Sequence, residues 1–311
     1  MSTIVDIKEA TSEMITVIDL VRWIVSHMNQ HDLSYGHGTE NSWDEAVNLV
    51  LSSLHLPPDV DKCILEAKVT QRERKILAEQ LSRRLKERVP VPYLVNEAWF
   101  AGLNFYVDER VIIPRSPIAE LIESEFTPWV QPQSVSRILD LCCGSACIGI
   151  SCALAFPDAQ VDAVDISPDA LAVAQINLER YECDDNLRLV ESDLFNALEP
   201  AQYDIIISNP PYVSQPEMDE LPAEYLHEPR LALEAGDQGL DIVQRILAEA
   251  HKYLAPGGVL IVEVGYTQNA VEDMYPHLPF TWLQFERGGE GVFLLTAEEL
   301  AEHSHIFSSD M

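Results

Sequence analysis

The sequence predicts an α/β fold in which a mostly parallel sheet, covered by helices, follows a helical region. Three observations predict it. From Arg137 onward, short apolar runs of strand length alternate with longer runs of helical spacing. Ahead of Val89-Pro90-Val91-Pro92 the apolar residues recur at helical spacing only, and the prolines stop that pattern. Near the other end, a Gly288-Gly289-Glu290-Gly291 turn separates two apolar runs, which suits an antiparallel pair.

The elements follow in order. Thr3 to Glu87 reads as helical. Leu20, Val21, Ile24 and Val25 form one stripe, and Ala46, Val47, Leu49, Val50 and Leu51 form another. Asn41 caps the second, with Asp44 and Glu45 in its first turn. Gln71 to Arg88 reads as a charged helix with a solvated face. Ala98–Phe100 and Asn104–Val107 flank a Gly102 turn, a hairpin between two domains. The expected strands are Arg137–Leu141, Gln160–Val164, Leu187–Val190, Tyr203–Ser208 and Val259–Val264. Pro168–Arg180 and Leu240–Leu254 are helical, and Phe280–Glu286 pairs with Val292–Thr296. Domain limits are placed at 1–94 (helical, substrate recognition), 95–115 (hairpin linker) and 116–311 (sheet domain).

Composition sets the outer bounds. At 311 residues the chain is comfortable as two domains, and 47% hydrophobic content excludes global disorder. No run approaches the roughly 20 apolar residues of a membrane span. Met1 to Asp6 lacks a secretory pattern. Cys142, Cys143, Cys147 and Cys152 crowd too closely for independent bridges, so a reducing cytoplasm is expected. They lack paired zinc knuckles, so apolar packing is expected and metal is not. The net charge of −31 is lopsided: through Val95 there are 11 basic residues against 14 acidic, and beyond it 9 against 37. Such a field suits a basic protein partner better than nucleic acid.

Chemistry concentrates at strand ends. The first sheet strand runs through Asp140 into Cys142, Gly144, Ser145 and Ala146, a small-residue turn where backbone can approach a ligand. The second ends at Asp165 and Ile166, 21 residues after Gly144, where a carboxylate can take ribose hydroxyls. The third delivers Asp193, Leu194 and Phe195, an acid and an aromatic suited to an adenine. The fourth runs into Asn209-Pro210-Pro211-Tyr212. Two prolines hold this loop rigid, so the Asn209 amide oxygen and the Pro210 carbonyl give two acceptors for one planar NH2 group. Tyr212 supplies a face for it.

This arrangement resembles the S-adenosylmethionine-dependent methyltransferases whose Asn-Pro-Pro-Tyr motif acts on planar nitrogens. The helical N-domain, the hairpin, Val111-Ile112-Ile113-Pro114-Arg115 and the terminal glycine turn are similar to the protein-(glutamine-N5) methyltransferases. Tyr35 to Val47 and Pro114-Arg115-Ser116-Pro117-Ile118 resemble the branch acting on ribosomal protein L-three. The resemblance implies a Rossmann-like domain with a seven-stranded, mostly parallel sheet and an antiparallel terminal pair. It further implies S-adenosyl-L-methionine held by Asp140, Cys142, Gly144, Ser145, Ala146, Asp165, Ile166, Asp193, Leu194 and Asn209. Asn209, Pro210, Pro211 and Tyr212 would hold a glutamine of a basic ribosomal protein, free or in an assembly intermediate. Ala146 stands where the family pattern has glycine.

Three other readings use the same residues. An adenine-N6 methyltransferase needs a basic, aromatic surface for a flipped base, yet Val213 to Asp241 carries eight acids and one arginine. A release-factor enzyme would carry a different run after the hairpin. A non-catalytic chaperone would not need the intact Asn209–Tyr212 motif. The acidic segment itself is expected to face solvent and recruit a basic substrate, as Glu217, Asp219, Glu220, Glu224, Glu228, Glu234, Asp237 and Asp241. His37 reads as structural or a substrate contact. Arg115 either pins the linker or touches ligand, and Glu263 to Gly265 shape the pocket rim.

Overall fold

The computed structural model describes residues 7–199 and 201–308. The start of the expected helical region, Thr3 to Asp6, lies outside them. The chain divides into two units: 1–98 with 107–109 and 222–227, and 99–106 with 110–221 and 228–311. The contiguous limits 1–94, 95–115 and 116–311 differ from this division. Most notably, six residues just beyond the Asn209–Tyr212 motif join the N-terminal helices.

The first unit is helical. Val17–Met28, Ser42–Ser53 and Gln71–Lys86 are its main helices. Thr16 and Thr70 form capping boxes with Asp19 and Glu73, and Asn41 caps the second helix as expected. Leu20, Trp23, Ile24, Leu49, Val50, Leu77 and Leu81 are its buried core. The buried guanidinium of Arg84 bonds Glu45 at 2.5 Å, Glu224 at 2.8 Å and the Ser34 carbonyl at 2.8 Å.

In the second unit, Leu103–Phe105 is β2, the return strand of a two-stranded hairpin whose first strand is β1, Ala98–Phe100. Phe100 and Phe105 enter the core under the main sheet. Seven strands form that sheet: β3 (Arg137–Leu141), β4 (Gln160–Asp165), β5 (Leu187–Glu191), β6 (Tyr203–Ser208), β7 (Leu254–Glu263), β8 (Thr281–Trp282) and β9 (Val292–Thr296). Their order is β5-β4-β3-β6-β7-β9-β8, with the first five parallel and the last two antiparallel. The strand order reverses direction between β3 and β6, where a sheet of this kind opens a crevice at its carboxyl edge.

Three boundaries are corrected. The helix expected to reach Leu254 stops at Ala250, because Leu254 pairs with Tyr203 and starts β7 through Pro256-Gly257-Gly258. The strand expected over Phe280–Glu286 pairs only at Thr281 and Trp282. Asn104–Val107 shortens to Leu103–Phe105, because the Tyr106 backbone turns to exchange hydrogen bonds with the buried Asn177 side chain.

Candidate active site

The carboxyl ends of β3, β4 and β6 open into a cleft walled by Cys142, Gly144, Asp165, Ile166, Asp193, Leu194, Asn209 and Pro211. Eight of the expected site residues therefore meet. The β3 turn is made by left-handed backbone at Cys142 (φ 60), Gly144 (φ 54) and Ala146 (φ 59). A side chain at Gly144 would meet nothing within 4 Å, so glycine leaves the wall open to a bound group. Ala146 holds its left-handed turn as the N-cap of helix Cys147–Ala155, so the expected glycine is replaced without loss of the backbone path.

Asp165 is aimed by its own loop. One oxygen accepts the Gly144 N–H at 2.8 Å and the other the Ser167 N–H at 2.9 Å. Each oxygen keeps a second lone pair for a ligand hydroxyl. Burial pushes its carboxyl upward, and these backbone bonds pull it back. Asp193 forms an ion pair with Arg245 at 2.8 Å, also on the cleft wall. Arg245 and Ile242 sit on helix Asp241–Ala250, and nothing in their local sequence marks them.

Some expected residues lie behind the wall. Asp140 is fully buried and accepts Gly149 N–H at 2.8 Å with one oxygen, while its other oxygen has no partner among the described residues. Burial raises its carboxyl to about 8. Ser145 and Ala146 are buried too, and neither is part of the cleft wall. They support the turn instead of lining it. Phe195 corrects a reading: it stacks on Tyr253 (centroids 4.6 Å apart) and is 1% exposed, so it is core and not a face for adenine. The apolar wall includes Ile166, Leu194 and Ile242 together with Val111, Ile112 and Leu231. Cys143, Cys147 and Cys152 are buried in the core, where burial raises each thiol.

Asn209 follows β6, whose Ser208 hydroxyl donates to the Leu141 carbonyl at 2.8 Å and ties the strand to β3. The half-buried Asn209 side chain lies on the cleft wall. Pro210 is buried behind it, and Pro211 is half-buried on the wall. The Tyr212 hydroxyl donates to Glu263 at 3.3 Å.

The acidic segment is also corrected. Glu224 is buried on Arg84, and Glu228 is buried under a bidentate Arg115 at 2.5 and 2.9 Å. Glu217 caps its helix through Ser214, and Glu234 pairs with Arg230. Only Asp219, Glu220, Asp237 and Asp241 remain exposed. Arg115 thus pins the strap that includes Ile113, and His37 packs against Tyr225 at 4.4 Å.

The fit to S-adenosylmethionine rests on this chemistry. Two carboxylates, a backbone turn left open at Gly144 and an apolar wall suit a ribose, a charged amino acid and a base. The model of the Methyltransferase small domain matches residues 126–237. A ribosomal protein uL3 glutamine methyltransferase of Francisella tularensis subsp. tularensis is 50% identical over 293 residues, 94% of this chain and 93% of that protein. The chain belongs to the uL3 glutamine methyltransferase family. Its namesake in Bordetella pertussis is 50% identical over 289 residues, 93% of this chain and 97% of its own. A solved hMettl16 catalytic domain, in complex with a MAT2A 3'UTR hairpin, covers 72% of this chain and 80% of its own with TM-score 0.50. At 15% identity that likeness is one of fold. The family and fold expected from the strand-end motifs are those found, and the chain is a methyltransferase. No helix among the described residues is long and apolar enough to cross a membrane.

Proposed function

We propose that this enzyme methylates the side-chain nitrogen of a glutamine in ribosomal protein uL3, in the cytoplasm, with S-adenosylmethionine as donor. One observation carries the reading: Asn209 stands at the switch point of the sheet, on the same cleft wall as Asp165 and Asp193. The relatives' shared name adds the substrate.

When bound, S-adenosylmethionine supplies a methyl group on a positively charged sulfur. Cys142, Gly144, Asp165, Ile166, Asp193, Leu194 and Asn209 would hold it, with Asp140, Ser145 and Ala146 setting the turn from behind. An amide nitrogen is a poor nucleophile because its lone pair is delocalised. The Asn209 side-chain oxygen and the Pro210 carbonyl accept its two N–H bonds, which fixes its plane and directs electron density onto nitrogen. The Tyr212 ring and Pro211 bound the same loop. Orientation supplies most of the rate, since well-placed reactants are worth roughly 7–11 kcal/mol. Acceptor dipoles match the positive charge that develops on nitrogen, and the proton leaves once the amide is cationic. The acidic sheet domain favours a basic protein, free or within an assembly intermediate.

Radiolabelled methyl transfer tests this directly. Label should enter uL3 and not a release factor, DNA or RNA. Label in nucleic acid would make the enzyme an adenine methyltransferase.

A further inference from the structure

The Tyr212 hydroxyl ties the motif to a buried carboxyl, that of Glu263. Glu263 ends β7. The pair Ser208–Val262 is the last of the β6–β7 ladder, so Glu263 follows it at the same edge as Asn209. Only 6% of Glu263 is exposed. One carboxyl oxygen accepts the Ser116 hydroxyl at 2.5 Å, and the other accepts the Tyr212 hydroxyl at 3.3 Å. Ser116 in turn accepts the Ile118 N–H at 3.2 Å, which anchors it to the start of helix Ile118–Glu123.

The ring has little room to move. A side chain at Gly265 would come within 2.9 Å of the Tyr212 ring, and one at Gly239 within 2.2 Å of its carbonyl. Tyr266 meets the ring edge-on at 5.9 Å. Packing therefore confines the ring, and the hydroxyl bond fixes its tip. Two prolines make the intervening backbone stiff, so a fixed Tyr212 also fixes Asn209.

We infer that Glu263 is a positioning residue for the transfer, holding the Asn209–Tyr212 loop through a Ser116–Glu263–Tyr212 hydrogen-bond relay. The inference rests on the methyl-transfer reading for its consequence, although the relay itself can be measured without turnover. Both hydroxyls donate, so a carboxylate is the acceptor that satisfies them together. Burial lifts the Glu263 carboxyl above the usual carboxylate range, and the two hydroxyl bonds and the neighbouring Arg115 pull it part of the way back.

The test compares Glu263→Gln, Tyr212→Phe and the double variant in the full chain. Gln keeps the shape but offers one acceptor and one donor, and Phe keeps the ring face without the hydroxyl. Each single variant should lower kcat on uL3 by roughly 10- to 100-fold, the scale of a small misplacement of reacting groups. KM and cofactor affinity should stay within about threefold. The double variant should be no slower than the worse single, because both remove one bond. Hydrogen exchange of the amides of Asn209, Tyr212, Val213 and Ser214 should rise in all three variants by the same factor, with other regions unchanged. Multiplying losses, unchanged kcat in an active parent, or unchanged exchange would overturn the inference. A parent that labels no uL3 while exchange rises as described would sink the functional reading and leave the relay standing.

Discussion

Replacing Asp165 by Ala removes two different things, and their sizes can be separated. The first is the ligand contact. A carboxylate bonded to ribose hydroxyls is worth about 1.5–3 kcal/mol, a loss of roughly 10- to 160-fold in affinity for S-adenosylmethionine. The second is internal. The Gly144 and Ser167 N–H groups lose their acceptor, and because Asp165 is only partly shielded, water can reach them. That costs folding about 1–2 kcal/mol. Calorimetric titration reads the first, and urea denaturation without ligand reads the second. Asp165→Asn should fall between, since it keeps one acceptor but turns a donor toward the other N–H. An Ala variant that binds S-adenosylmethionine within twofold of the parent would refute the assignment.

Asp140 gives a pH prediction. Its carboxyl is raised from 3.8 to about 8 by burial, so the folded state holds a proton that the unfolded chain releases. Its contribution is fully present below pH 3.8 and drains away as pH climbs to about 8. Urea midpoints of the parent should therefore fall relative to Asp140→Asn across that window, and parallel profiles would contradict the assignment. Arg84→Met leaves Glu45 buried without its cation and Glu224 with only Arg88, at 3.4 Å, and should cost about 3–5 kcal/mol in denaturant unfolding; a loss under 1 kcal/mol would mean the cluster is open to water. Replacing Asp219, Glu220, Asp237 and Asp241 by amides should slow transfer at low salt and limiting uL3, and flatten the salt response, without altering cofactor affinity. An unchanged salt response would reduce these four to a solvated face.

What could be read in the sequence was what local chemistry decides. The apolar runs of β3, β4 and β6 announce buried parallel strands, and Asn209 to Tyr212 carry their own rigidity. Failures came where a partner is distant or a direction is ambiguous. Glu224 looked solvent-facing because its cation, Arg84, is 140 residues away. Glu228 is likewise claimed by Arg115, 113 residues away. Phe195 looked like a cofactor contact because it stands two residues after Asp193, but its ring stacks on Tyr253 in the core. Helical spacing ran past Ala250 because Leu254 is apolar in either pattern, and only pairing with Tyr203 decides it. Glu263 read as a rim residue; its two hydroxyl partners are 51 and 147 positions away.

The central claim is that Asn209 holds the acceptor amide and not the methyl donor's main grip. The most direct measurement pairs methyl transfer to uL3 with calorimetric binding of S-adenosylmethionine for Asn209→Ala. Transfer should fall below detection while cofactor affinity changes by no more than about threefold, since Asp165 and the Gly144 turn remain. Near-normal transfer by Asn209→Ala would contradict the account.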